Sequence, residues 1–271
     1  PTLDAISDVT VDEDAPEQTV DLAGITAGGG EDQPLRVTAV SSYAELLTGP
    51  TVIYTSADKT GTLKFTPVAD EHGDTEITVT VEDGGLDGDL DTSADNGTFS
   101  RTFDVIVNPI NDVPTINAIA DVTIDEDASE QTVNLTGVTA GGGEVQPMLV
   151  SASSSNSSLI GQVTVNYSPI STTGTLKFTP LADQHGVSTI TVTVEDGGLD
   201  NDLATTDDNA VTTRTFEVTV TPDGDTPTLD SLADVTIDED ASEQTVNLAG
   251  ITAGGGETQP LRVTAVSSYA E

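Results

Sequence analysis

The sequence predicts an all-β protein made of tandem seven-stranded Greek-key β-sandwiches, and three observations carry that prediction. A block of 113 residues repeats: PTLDAISDVTVDEDAPEQTVDL at Pro1 returns as PTINAIADVTIDEDASEQTVNL at Pro114 and as PTLDSLADVTIDEDASEQTVNL at Pro227. Within each block, short segments of alternating apolar and polar residues lie between Gly, Asp and Asn clusters, which is the period of a half-buried strand. No segment carries the competing apolar period of a helix.

The register of the repeat sets the domain plan. GTLKFTP recurs at Gly61 and Gly174 and VEDGGLD at Val81 and Val194, so the copies run without gaps. Domains are therefore read as 1–113 and 114–226, with 227–271 an incomplete third copy holding approximately its first three strands. In the first copy, strands are expected near Val9 to Val11, Thr19 to Leu22, Leu35 to Ser41, Thr51 to Thr55, Thr62 to Thr66, Glu76 to Val81 and Phe99 to Val107. Alternation is clean in the later ones: Ile77, Val79 and Val81 share one face while Thr78 and Thr80 share the other, and Phe103, Val105 and Val107 repeat the pattern. Seven antiparallel strands in about 100 residues point to a two-sheet immunoglobulin-like sandwich, here without the disulfide or buried Trp of antibody domains. Leu63, Phe65, Phe99 and Phe103 are the expected core anchors, with Leu176, Phe178 and Phe216 in the second copy. The third copy alone would expose Val246, Leu248, Leu261, Val263 and Ala265 along with unpaired strand edges. Its remaining strands are expected from a continuation of the chain or from a neighbouring copy.

Composition narrows the function. With 35% hydrophobic and 3% aromatic residues in 271, the chain supports several small cores rather than one large one. Seven Lys plus Arg stand against 47 Asp plus Glu, a net charge of -40. That charge excludes nucleic acid as a partner, because phosphate binding needs clustered cations, and disfavours an unassisted acidic membrane surface. Without Cys, disulfides and thiolate chemistry are ruled out, and an extracellular domain of this kind needs another staple, for which a metal is the natural candidate. No apolar run approaches a membrane span, and any secretion signal is expected outside this stretch.

The carboxylates concentrate at the two ends of the expected sandwiches. If successive strands alternate in direction, Asp12, Glu13, Asp14, Asp70, Glu71, Asp74, Asn111 and Asp112 gather at the lower end of the first copy. Glu144, Glu195, Asp196, Asp200, Asp202, Asp207 and Asp208 gather at the upper end of the second, beyond the linker Asn108 to Pro114. One period on, Glu126, Asp127 and Asp183 repeat the lower set, joined by Asp225. Carboxylates so crowded raise one another's pKa values unless a cation sits among them. Ca2+ suits them, since it takes about six to eight hard oxygen ligands from flexible Asp-, Asn- and Gly-rich loops.

These residues resemble the bacterial cadherin-like and immunoglobulin-like tandem repeats of giant surface adhesins and extracellular fibre proteins. The matching words are TxDEDA, QTVxL, GTLKFTP, TITVTVEDGG and NPINDVPT. The resemblance covers both complete copies and the fragment. It implies that NPINDVPT corresponds to the DxNDN linker of cadherins, with Asn111 and Asp112 as its metal-binding pair. Glu13 matches the acidic ligand near the end of the first strand, and Asp70, more loosely, the acidic position between the fifth and sixth. The second linker, TPDGDTPT, departs from the pattern: Gly224 replaces the Asn, leaving Asp225, with Asp223 as the residue such a site would recruit.

Other readings are weaker on the residues themselves. A solvated acidic coat predicts carboxylates spread over strand faces, whereas exposed strand positions here are mostly Thr and Ser. Asp87, Asp89 and Asp91 open like an EF-hand loop, but Thr92 occupies the required Gly position and the closing Glu is missing. His72 and His185 lack a second nitrogen or thiolate for zinc and are read as turn or surface residues. Ala27, Ala140 and Ala253 each open an AGGG stretch without the Lys of a phosphate loop, read as a wide turn. Sequons at Asn96, Asn134, Asn156 and Asn166 allow glycosylation, with Ser151 to Ser158 an alternative O-linked region. No nucleophile is visibly supplied with a base. The expected function is thus a non-enzymatic, calcium-rigidified extracellular repeat, the stalk of an adhesin or the body of a filament, whose partners are other repeats and other copies. The alternatives are a calcium-dependent glycan- or surface-binding module and an accessory domain of a longer secreted enzyme.

Overall fold

Alternation along the chain translates directly into strands in the computed structural model, which describes residues 1–92 and 94–269. The first repeat forms β1 (Val9–Asp12), β2 (Gln18–Ala23), β3 (Leu35–Ser41), β4 (Leu47–Ile53), β5 (Thr60–Pro67), β6 (Gly73–Asp83) and β7 (Thr98–Asn108). The second forms β8 (Val122–Asp125), β9 (Gln131–Thr136), β10 (Met148–Ser154), β11 (Ile160–Tyr167), β12 (Thr173–Pro180), β13 (Gly186–Asp196) and β14 (Val211–Thr221). Each set makes one sheet of four strands and one of three: β1-β7-β6-β3 with β2-β5-β4, and β8-β14-β13-β10 with β9-β12-β11. The chain is thus a tandem of two β-sandwiches. No helix among the described residues is long and apolar enough to cross a membrane.

Two local departures from expectation have plain causes. The strands are not all antiparallel: β1 pairs parallel with β7, Val9 opposite Val105, and β8 with β14, Val122 opposite Val218. Odd-numbered strands of an alternating chain run the same way, so the first and seventh are parallel when they become neighbours. The fourth strand begins at Leu47 rather than near Thr51, because a register shift between Thr48 and Thr51 lets pairing with β5 resume past the irregularity.

Between the sheets lies the core. Ile77, Val79 and Val81 of β6 are fully buried, as are Ile190, Val192 and Val194 of β13. Leu63, Phe65 and Phe103 are buried too, with Leu176, Phe178 and Phe216 in the second sandwich. Phe99 differs, being only partly buried, with the Arg101 guanidinium 4.9 Å from its ring centroid.

No strand forms among the described residues of 227–269, where an isolated bridge, Thr228 to Thr252, is the regular pairing recorded. The three strands expected there lack partners. In the first repeat β1 pairs with β7, β2 with β5 and β3 with β6, and the equivalents of β5, β6 and β7 are not among these residues. Val246, Leu248, Leu261, Val263 and Ala265 are accordingly exposed. Two compact units divide the chain. Pro1–Pro114 with Thr139–Pro147 and Asp196–Ala210 form the first; Thr115–Val138, Met148–Glu195 and the residues from Val211 on form the second.

Candidate metal centres

In the first unit, two tight turns bring acidic residues together. After β1 the Ala15 N–H donates to the Asp12 carbonyl, and after β5 the Glu71 N–H donates to the Val68 carbonyl. Asp14 and Asp70 occupy left-handed positions in these turns, with φ of 61° and 60°, a conformation Asp tolerates better than most residues. The Asp70 N–H reaches Asp14 Oδ1 at 3.3 Å, tying turn to turn. The linker then delivers Asp112, so that carboxylate oxygens of Asp14, Asp70 and Asp112 lie within 4.8 Å of one another.

Glu13 anchors the linker from beneath. It is 2% exposed, its Oε1 accepts the Ile110 N–H at 2.8 Å, and its Oε2 lies 3.4 Å from His72 Nδ1. His72, placed in a turn by its sequence, therefore also borders the acidic group. On the other flank, the Asp112 N–H donates to Glu144 Oε2 at 3.3 Å. Asn111 Nδ2 donates to Asp196 Oδ1 at 3.2 Å, and Asn111 Oδ1 accepts from Gln146 Nε2 at 2.8 Å.

The AGGG stretch does more than turn the chain. A Cβ on Gly141 would lie 2.7 Å from Asp112 Cβ, and one on Gly142 would lie 2.8 Å from Asp112 Cγ. Only glycine lets this backbone close over the Asp112 side chain. The enclosure leaves Asp112 Oδ2 out of solvent with no hydrogen-bond partner, and the same is true of Asp196 Oδ2. Burial, followed by the charges of Asp70, Asp14 and Glu13, raises the Asp112 pKa above the ordinary carboxylate range. Burial likewise raises Glu144, with Asp112, Glu13 and Asp196 adding to it.

The second unit repeats the arrangement with its own residues. Asp127 and Asp183 hold left-handed turns with φ of 60° and 57°, joined by an Asp183 N–H bond to Asp127 Oδ1 at 3.1 Å. Asp127, Asp183 and Asp225 form one carboxylate group, and Glu126, Asp225 and Glu257 another. Glu126 Oε1 accepts the Asp223 N–H at 2.8 Å, and the Asp225 N–H donates to Glu257 Oε2 at 3.3 Å. Gly254 and Gly255 close over Asp225, whose Oδ2 is also enclosed and unpartnered. Burial, with Asp183, Asp127, Glu257 and Glu126 around it, raises the Asp225 pKa.

Not every acidic candidate joins these groups. Asp200 and Asp202 fall in none of the three: Asp200 accepts the Asp202 N–H and the Thr205 hydroxyl, while Asp202 accepts the Ala204 N–H, so both cap turns of their own loop. The Asp223 carboxylate accepts the Gly224 N–H and stands outside the cluster. Asp196 is fully buried as a hub, its Oδ1 accepting the Gly198 and Ala210 N–H groups besides Asn111. Glu257 is a member that sequence reasoning missed. Its signal was periodicity, for Glu31, Glu144 and Glu257 each follow an AGGG stretch one period apart.

The donor set fits a hard divalent cation. All donors are oxygens, the carboxylates are converged by three separate segments, and an enclosed carboxylate oxygen in each group has no protein partner. Comparisons with known proteins add a fold-level likeness alone. No protein-family model matches the sequence, and no curated protein does. Solved structures similar to this chain include human mucin-like protocadherin EC1-2, at 17% identity and TM-score 0.41, covering 82% of this chain and 98% of that one. Domains 4 and 5 of the S-layer protein SbsC are similar at 17% identity and TM-score 0.30, covering 74% and 82%. An endo-fucoidan hydrolase of glycoside hydrolase family 107 is similar at 14% identity and TM-score 0.29, covering 81% of this chain and 28% of that one.

Proposed function

We propose that this chain is a non-enzymatic structural repeat of a large extracellular protein, with linkers stiffened by Ca2+, serving as an adhesin stalk or a filament body. The observation that carries the reading is the linker Asp112, gripped by Gly141 and Gly142 with an unpartnered oxygen and set beside Asp14 and Asp70. Asp14, Asp70, Asp112 and Glu144, with Glu13 behind them, would hold the cation in the first unit. Asp127, Asp183, Asp225, Glu126 and Glu257 would hold it in the second. Bound there, Ca2+ supplies the positive charge that crowded carboxylates otherwise lack.

The mechanism is mechanical rather than catalytic. Glu13 and Glu144 fix the linker backbone at Ile110 and Asp112, so the linker is already positioned when the cation arrives. Removing the cation restores repulsion among Asp14, Asp70 and Asp112 and loosens the linker against these hydrogen bonds. Metal that binds only the folded linker stabilises by about 2.7 kcal/mol at a hundredfold excess over Kd.

Calcium titration calorimetry, paired with thermal melts in calcium and in chelator, tests this reading. Saturable binding together with a melting temperature lowered by chelation supports it. Superimposable melts with no binding heat replace it with an acidic coat that only solvates the chain. Electron microscopy of the protein in calcium then separates a stalk, seen as isolated rods, from a filament, seen as lateral or end-to-end fibres.

A further inference from the structure

Asn111 precedes Asp112 in the same linker, yet both ends of its amide are engaged by protein. A carboxylate accepts and never donates, so the edge facing Asp196 must be the Nδ2 amine, which leaves Oδ1 to accept from Gln146. Both partners are buried. Asp196 is 0% exposed and fixed by the Gly198 and Ala210 N–H groups, and Gln146 is 5% exposed. Water competes poorly for hydrogen bonds so enclosed.

We infer that Asn111 is a metal-independent clamp on the linker, a positioning residue acting through Gln146 and Asp196, and not a cation ligand. Its likeness to a cadherin linker assigns Asn111 to the metal-binding pair, but its Nδ2 cannot ligate a cation and its Oδ1 is turned to the Gln146 N–H. The second linker has no equivalent. Gly224 stands at that position, its own N–H turns to Asp223, and Gln259 Nε2 bonds Glu257 instead. With the cation removed, the first linker keeps a restraint that the second never had.

Hydrogen exchange of the whole chain in chelator reads this directly, because it needs no bound metal. The amides of Ile110 to Val113 should exchange more slowly than those of Asp223 to Thr226. Asn111→Gly and Gln146→Leu should each speed the first set about tenfold, the scale of one or two net hydrogen bonds. The double variant should add little further, as expected of residues sharing one network. Protection in β13 and β14 verifies that each variant is folded, and calorimetry should find calcium affinity within about threefold of the parent. Two results overturn the inference: unchanged exchange in both variants, or a tenfold loss of calcium affinity in Asn111→Gly that Gln146→Leu does not share. Since the exchange arm is run without calcium, failure of the clamp and failure of the calcium reading are separable.

Discussion

Gly142→Ala offers a sharp test of how the linker is gripped, because its neighbour supplies the control. Gly142 and Gly143 both have positive φ, 40° and 78°, so an alanine at either costs about 1–2 kcal/mol of backbone strain. They differ in surroundings: a Cβ at Gly143 meets nothing within 4 Å, whereas one at Gly142 collides with the Asp112 carboxylate. Gly143→Ala therefore measures strain alone. Gly142→Ala adds displacement of Asp112 from Asp14 and Asp70. In calcium that displacement should weaken binding at least tenfold, about 1.4 kcal/mol beyond the control. In chelator the extra cost should vanish or change sign, because moving Asp112 away relieves the burial and, after it, the repulsion that lift its pKa. Thermal melts in both conditions, with calcium titration calorimetry, give the comparison. Equal losses for the two variants in calcium, or the same excess in chelator, would refute the reasoning.

The chelated protein should also gain stability from Asp112, Glu144 and Asp225 on mild acidification: their folded pKa values are raised, so the folded state binds protons more tightly as pH falls toward the unfolded values near 4. Glu82, Asp83 and Asp87, with lowered values, act in the opposite sense, so the contribution is read as the part of the melt's pH dependence that Asp112→Asn removes. Leu176→Ala, at a fully buried position of β12, should cost about 2–5 kcal/mol and shift the urea midpoint without changing the slope. Amides of 227–269 should exchange far faster than those of β6 and β13, and protection there equal to the core would contradict the exposure of Val246, Leu248 and Val263.

Much of the fold could be read in advance, because one face of each strand is dry and the other wet. Ile77, Val79 and Val81 announce a buried row whatever the partner strand is. The gathering of Asp14, Asp70 and Asp112 followed from strand direction alone, since alternation puts the turns after the first and fifth strands at the same end as the exit from the seventh. Local hydrogen bonding was harder to foresee. Asp200 and Asp202 look like ligands by composition, but nearby N–H and hydroxyl groups already occupy their oxygens, and no periodicity marks that. The AGGG stretch was read as a turn because its reason for being glycine, the side chain of Asp112, lies 30 residues away in sequence.

Socket and plug recur in both complete repeats at fixed positions, the glycine loop early and the linker Asp at the end. Gly141 and Gly142 receive Asp112, and Gly254 and Gly255 receive Asp225. A 113-residue block thus carries a glycine loop for the linker before it and an Asp for the loop after it, the two halves of one fitting at opposite ends of a single unit.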